Sequence, residues 1–264
     1  MISLLFLVHT FTNSVFLSPL GGDVRCLFWD KERCSKDEAW IATWFSFSHF
    51  HVALLMSGLA YASSGTPKLE ATLSYIVSGI VFVYMAEGIF SINLLNPHLA
   101  NVQVVIFVLF LIAVAFFTAE AERSQPLFPL PRKLSTSSFD RRKKMSLASV
   151  AVGAQFLGSM FRVIEMALGG GHTGYMGDQS SPAYQSISSM AMCDMMIVAG
   201  ILGVTIRFFE PDQQKIVLWC QVGALLVSQA MLAGEAGEMI EAEQKQAGGI
   251  ATFISIVAAT LGAL

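Results

Sequence analysis

The charged residues of this chain are bunched, and the gaps between the bunches decide what it can fold into. Of 264 residues, 16 are Lys or Arg and 19 are Asp or Glu. Dense groups run from Asp23 to Glu38 and from Glu120 to Lys144. Smaller ones lie at Lys68 and Glu70, at Asp178, from Arg207 to Lys215 and from Glu241 to Lys245. Between them stand apolar stretches of roughly 16 to 25 residues, close to the ~20 that a helix needs to cross about 30 Å of hydrocarbon. Only 13% of the chain is charged, against about 25% in an ordinary soluble domain, too little to clothe a water-facing surface. The pattern predicts an all-α, polytopic integral membrane helix bundle. Uninterrupted apolar runs such as Val104–Phe117 do not fit the alternating ten-residue segments of a transmembrane barrel.

Seven spans follow: 39–62, 72–95, 101–120, 147–168, 184–207, 215–238 and 249–264, the last one short. The count rises to eight if the apolar stretch 1–17 is retained as a span; a signal peptide is the rival reading, although no Lys or Arg precedes it. The chain then divides into a signal-like segment and exterior cap (1–38), a three-helix unit (39–120), a basic loop (121–146) and a four-helix unit (147–264). All eight prolines fall outside the spans, where a missing N–H costs least.

Orientation is read from loop Lys and Arg. The 121–146 loop carries Arg132, Lys133, Arg141, Arg142, Lys143 and Lys144 and is expected in the cytoplasm, holding anionic inner-leaflet lipids. Alternation from there puts the N-terminus on the exterior or lumenal side and the C-terminus in the cytoplasm. Cys26 and Cys34 share the exterior cap, where an oxidising compartment favours a disulfide. A net charge of −3 offers no basic field to gather nucleic acid.

Six ionisable residues lie within the expected spans: Glu87, Arg162, Glu165, Asp194, Glu235 and Glu238. Such residues are costly in lipid, about 2.5–3.5 kcal/mol each for Asp, Lys or Arg on insertion scales, so they are expected to face the bundle interior. By the alternation above, the acids and His49 and His51 all fall in the exterior half of the membrane. This predicts an ion- or proton-binding cavity in which Glu87, Glu165, Asp194 and His49 bind, Arg162 tunes them, and Glu235 guards the outer mouth. The bland alternative is that these groups tie helices together, and Arg162 and Glu165, at i,i+3, are spaced to neutralise each other. His49 and His51 point about 200° apart on a helix, so they are not expected to ligate one metal. The cluster of methionines from Met190 to Met196 reads as gap-filling in a core.

Seven helices suggest a retinal protein, but the last span, GGIATFISIVAATLGAL, offers no Lys for a Schiff base. FRVIEMALGG (161–170) resembles a ten-residue segment of the fungal lipid-translocating exporters, yet three spans follow it where that family has one, so no family is assigned. No cofactor is expected. The leading expectation is a transporter or channel for a cation, a proton or a proton-coupled small solute. The rivals are a non-catalytic subunit of a larger membrane complex, or homo-oligomer, and a seven-helix receptor.

Overall fold

Whether a stretch of this chain becomes a helix is settled by its apolar run, but where the helix starts is settled by caps. A computed structural model describes residues 35–63, 146–169, 176–177, 182–234 and 237–264, together with positions 11, 15 and 18. These form five helices: α1 (Lys36–Ser63), α2 (Leu147–Gly169), α3 (Pro182–Phe208), α4 (Pro211–Ala233) and α5 (Ala242–Ala263). There is no β-strand among the described residues. The expected spans 72–95 and 101–120, the cap with Cys26 and Cys34, and the basic residues Arg132, Lys133, Arg141, Arg142, Lys143 and Lys144 lie outside the described residues.

α1 opens with a reciprocal capping box. Ser35 N donates to Glu38 Oε2 at 2.9 Å while Glu38 N donates to Ser35 Oγ at 3.2 Å, which satisfies two of the free N–H groups every helix start leaves. α2 starts on Ser146, whose Oγ accepts from Ser149 N at 3.1 Å. α4 pairs Glu210 with Gln213 in a second capping box and places Pro211 in its first turn, where the fixed φ of proline suits a helix. Four helices are long and apolar enough to cross a membrane: Leu147–Glu165 of α2, Ala191–Phe208 of α3, and the whole of α4 and α5.

These starts correct several expected boundaries. The sixth expected span, 215–238, is the helix Pro211–Ala233. Gly234 N closes it by donating to Ala230 O and Met231 O, so Glu238 lies beyond its end and is exposed. A side chain at Gly237 would run into Leu232 O, so that turn accepts only glycine. The last span is not short: it begins at Ala242, seven residues before the expected start, and runs 22 residues. Pro182 and Pro211 are first residues of helices rather than loop residues.

The contacts fix how the helices run. Along α1 and α4, His51 meets Gln221, Gly58 meets Cys220 and Ala62 meets Gln213, so the two are antiparallel. α3 and α4 are joined by Phe209 and Glu210 alone, so the chain turns back there and α3 runs parallel to α1; the two pack on α1 and scarcely on each other. α2 pairs Ser149 with Gln214 and Gln155 with Gln221, parallel to α4. α5 lies antiparallel to both, with Gly262 at Ala151, Ser255 at Gln155 and Gly249 at Gln229. The C-terminus of α1 and the N-terminus of α2 therefore emerge on the same face, one bonded to Gln213 and the other to Gln214.

α1 is the inner helix. It buries 19 of its 28 residues, on every side, as a helix without an outward polar face must. Val52, Leu55, Met56 and Leu59 are fully enclosed with Ile201 and Leu202 of α3 and Val217 and Leu218 of α4. α2 and α5 meet through Ala148, Ala151, Ala259, Gly262 and Ala263. Small residues of this kind let backbones approach closely, which matters in a solvent as apolar as the side chains themselves.

Candidate functional site

A charged or polar side chain inside such a bundle must find a partner or be expelled, and the partners here are shared among four helices. Asp194, midway along α3, is completely buried. Its Oδ2 lies 2.8 Å from Nδ1 of His49, midway along α1, and also accepts from the hydroxyl of Ser48. His49 is likewise buried, and Phe45 closes over it with ring centroids 4.2 Å apart. The Ser48 hydroxyl also lies 2.8 Å from Phe45 O.

That last contact gives the cluster its chemistry. Ser48 has one proton and two acceptors within reach. With Asp194 ionised, Ser48 and His49 Nδ1–H both donate to its Oδ2. With Asp194 protonated, the carboxyl donates to Ser48 Oγ and the Ser48 proton turns to Phe45 O. In both states the Ser48 proton has an acceptor.

Two residues along α1, His51 turns to a different neighbour. Its Nε2 lies 2.7 Å from Gln221 Oε1; Gln221 Nε2 donates to Gln155 Oε1 at 3.1 Å; and Gln155 Nε2 donates to Ser255 O at 2.9 Å. This ladder of α1, α4, α2 and α5 is buried at His51, Gln221 and Gln155. At about 1.5 Å of rise per residue, Gln155 and Ser255 stand about 12 Å in from the face shared by the ends of α1 and α2. Gln221 stands about 15 Å in, His51 about 18 Å, and His49 with Asp194 about 21 Å.

His49 and Asp194 sit near the middle of helices of 28 and 27 residues, and toward the face shared by the ends of α1 and α2 the buried polar groups continue as the uncharged amide ladder. Of the expected ion-binding set, His49 and Asp194 are brought together. Arg162 and Glu165 instead form an i,i+3 ion pair on α2, with side chains 51% and 26% exposed, so Arg162 serves Glu165 and not the buried cluster. Glu87 and Glu235 lie outside the described residues. The sequence reading missed Ser48, Gln155 and Gln221; the available signal was a set of strongly hydrogen-bonding but uncharged side chains inside apolar runs, which mark helix contacts in membranes.

Among the described residues no group of three His, Cys, Asp or Glu side chains is placed to hold a metal ion. Cys193 and Cys220 are not joined in a disulfide. The class these features define is a helical protein whose apolar helices suit a membrane and whose interior carries a His–Asp–Ser cluster and an amide ladder. Comparison of the chain with family models, with curated proteins and with solved structures gave no match.

Proposed function

We propose that this protein is a multi-pass membrane transporter or channel that moves a proton, a cation or a proton-coupled small solute, with Asp194, His49 and Ser48 as its internal proton site. The observation that carries this reading is the double reach of Ser48, to Asp194 Oδ2 and to Phe45 O. It gives the Ser48 proton an acceptor whether or not the buried carboxyl is ionised, and an intramembrane acid is a functional-site candidate by default, proton relays of transporters among them. In the full arrangement seven helices span the bilayer, the N-terminus faces the exterior or lumen and the C-terminus the cytoplasm, and the basic 121–146 loop rests on anionic lipid.

The test is reconstitution into liposomes with a trapped pH-sensitive dye under an imposed gradient. Flux that disappears in Asp194→Asn and persists in Glu165→Gln supports the reading; absence of flux from verified, folded wild-type protein overturns it.

A second reading, a non-catalytic subunit of a membrane assembly, draws support from a different observation. α2 presents Leu147, Val150, Leu157, Phe161, Ile164 and Leu168 outward, alternating at three- and four-residue spacing apart from one seven-residue step at Ala154. Such a stripe suits a neighbouring helix as well as lipid. Co-purification of a stoichiometric membrane partner, with no flux, would favour it.

A further inference from the structure

The amide ladder has a direction, and its direction is set at one end. Ser255 O is a backbone carbonyl and accepts only, so the Gln155 atom facing it at 2.9 Å is the amide nitrogen. Gln155 Oε1 is thereby turned toward Gln221, which must present its own nitrogen, at 3.1 Å. Gln221 Oε1 is left facing His51 Nε2 at 2.7 Å, and an amide oxygen accepts only. His51 must therefore carry a proton on Nε2. In the neutral ring its Nδ1 is then a bare lone pair, and this atom is buried with no hydrogen-bond partner. A proton added at this atom gains no hydrogen bond there, and what favours it is the attraction of the Asp194 carboxylate.

We propose that His51 is a second proton-binding residue, that it takes its proton at Nδ1, and that Gln221 and Gln155 are positioning residues that hold its tautomer. The step is simple to balance. Hydronium gives up one O–H bond as the Nδ1–H bond forms and is left as water, no bond in the ladder breaks, and the imidazolium keeps donating Nε2–H to Gln221. The ionisable groups nearest His51 in the packing are His49 on its own helix, Asp194 on α3 and Cys220 on α4; α2 and α5 contribute only the uncharged Gln155 and Ser255 O at this level. With Asp194 ionised, a proton on His51 leaves the interior neutral. The two sites thus store one proton at Asp194 or one at His51, two residues apart along α1 from its His49 partner. This deepens the transport reading and rests on it for its purpose, but not for its detection.

The experiment is nitrogen-15 NMR of histidine-labelled full-length protein in phosphatidylcholine vesicles, with the His51 signals assigned by their loss in His51→Gln. At alkaline pH we expect protonated Nε2 and bare Nδ1, and protonation of Nδ1 as the pH is lowered with the protein still folded. In Gln221→Leu, or in Gln155→Met should the first variant fail to fold, the Nδ1–H tautomer is expected to appear alongside the other. A His51 that carries its neutral proton on Nδ1, or that never titrates while the bundle remains folded, overturns the proposal. A titrating His51 in a protein with no proton flux would sink the transport reading and leave this one standing; flux with a silent His51 would do the reverse.

Discussion

Gln213 and Ala62 meet at one end of the bundle, the Gln213 amide donating to the Ala62 carbonyl over 2.9 Å. A side chain from the first turn of α4 thereby satisfies one of the last carbonyls of α1, groups that a helix end leaves without partners. Because Gln214 beside it accepts from Ser149 at 2.8 Å, the end of α1 and the starts of α2 and α4 are gathered on one face. The opposite face carries the turn from α4 to α5, where Met176 N donates to Met239 O at 3.0 Å.

This arrangement predicts sidedness. In a background lacking the four native cysteines, Asp212→Cys and Glu241→Cys, both exposed positions, should react with a membrane-impermeant maleimide from opposite sides of sealed vesicles. Labelling of both from one side would contradict the antiparallel course of α4.

Gln214 should matter more to stability than Gln213. It is buried, donates to Thr205 O and Phe209 O at 3.3 and 3.0 Å, and accepts from Ser149. Gln214→Leu strands buried partners and should cost about 1–3 kcal/mol. Gln213→Ala removes two neutral hydrogen bonds at a less buried position, to Ala62 O and from Glu210 N, and should cost about 1–2 kcal/mol. Unfolding curves in mild detergent distinguish the two.

The His49–Asp194 pair should show the asymmetry of buried pairs. His49→Leu leaves the acid enclosed without its imidazole and should destabilise by about 3–5 kcal/mol, whereas the double replacement by leucine should recover part of that loss. The same unfolding assay tests it; a double variant that loses the full sum of the two singles would refute the coupling.

Two glycines make a clean contrast. A Cβ at Gly262 would overlap Ala151 Cβ and crowd Leu218 Cδ1 at 3.0 Å, while one at Gly200 meets nothing within 4 Å. Gly262→Ala should push α2 and α5 apart and cost about 1–3 kcal/mol. Gly200→Ala should be neutral or stabilise by about 0.5–1 kcal/mol through helix propensity.

What the sequence revealed was what hydrophobicity and charge control. The runs that became α2, α3, α4 and α5 are too apolar to be anything but buried or lipid-facing helices. Their ends were harder to read, because hydropathy changes gradually while caps act at single residues. Ser35 with Glu38, and Glu210 with Gln213 around Pro211, stand at capping-box spacing, but hydropathy places a span's edge at such charged residues rather than inside the helix they cap. At the site, Asp194 and His49 stood out because isolated charge in an apolar run is conspicuous. Their pairing did not, because it depends on which face of α1 meets α3. Gln155 and Gln221 carry no charge and act only through partners 66 or more positions away in the chain, a relation no local pattern encodes.

The two-residue link of Phe209 and Glu210 has a consequence for biogenesis. A connection of about 7 Å at full extension ties the end of α3 to the start of α4, so neither helix is free to take its place far from the other. His49 precedes Asp194 by 145 positions, so the partners of the acid are synthesised first, and a nascent chain stalled before α3 would carry them without it.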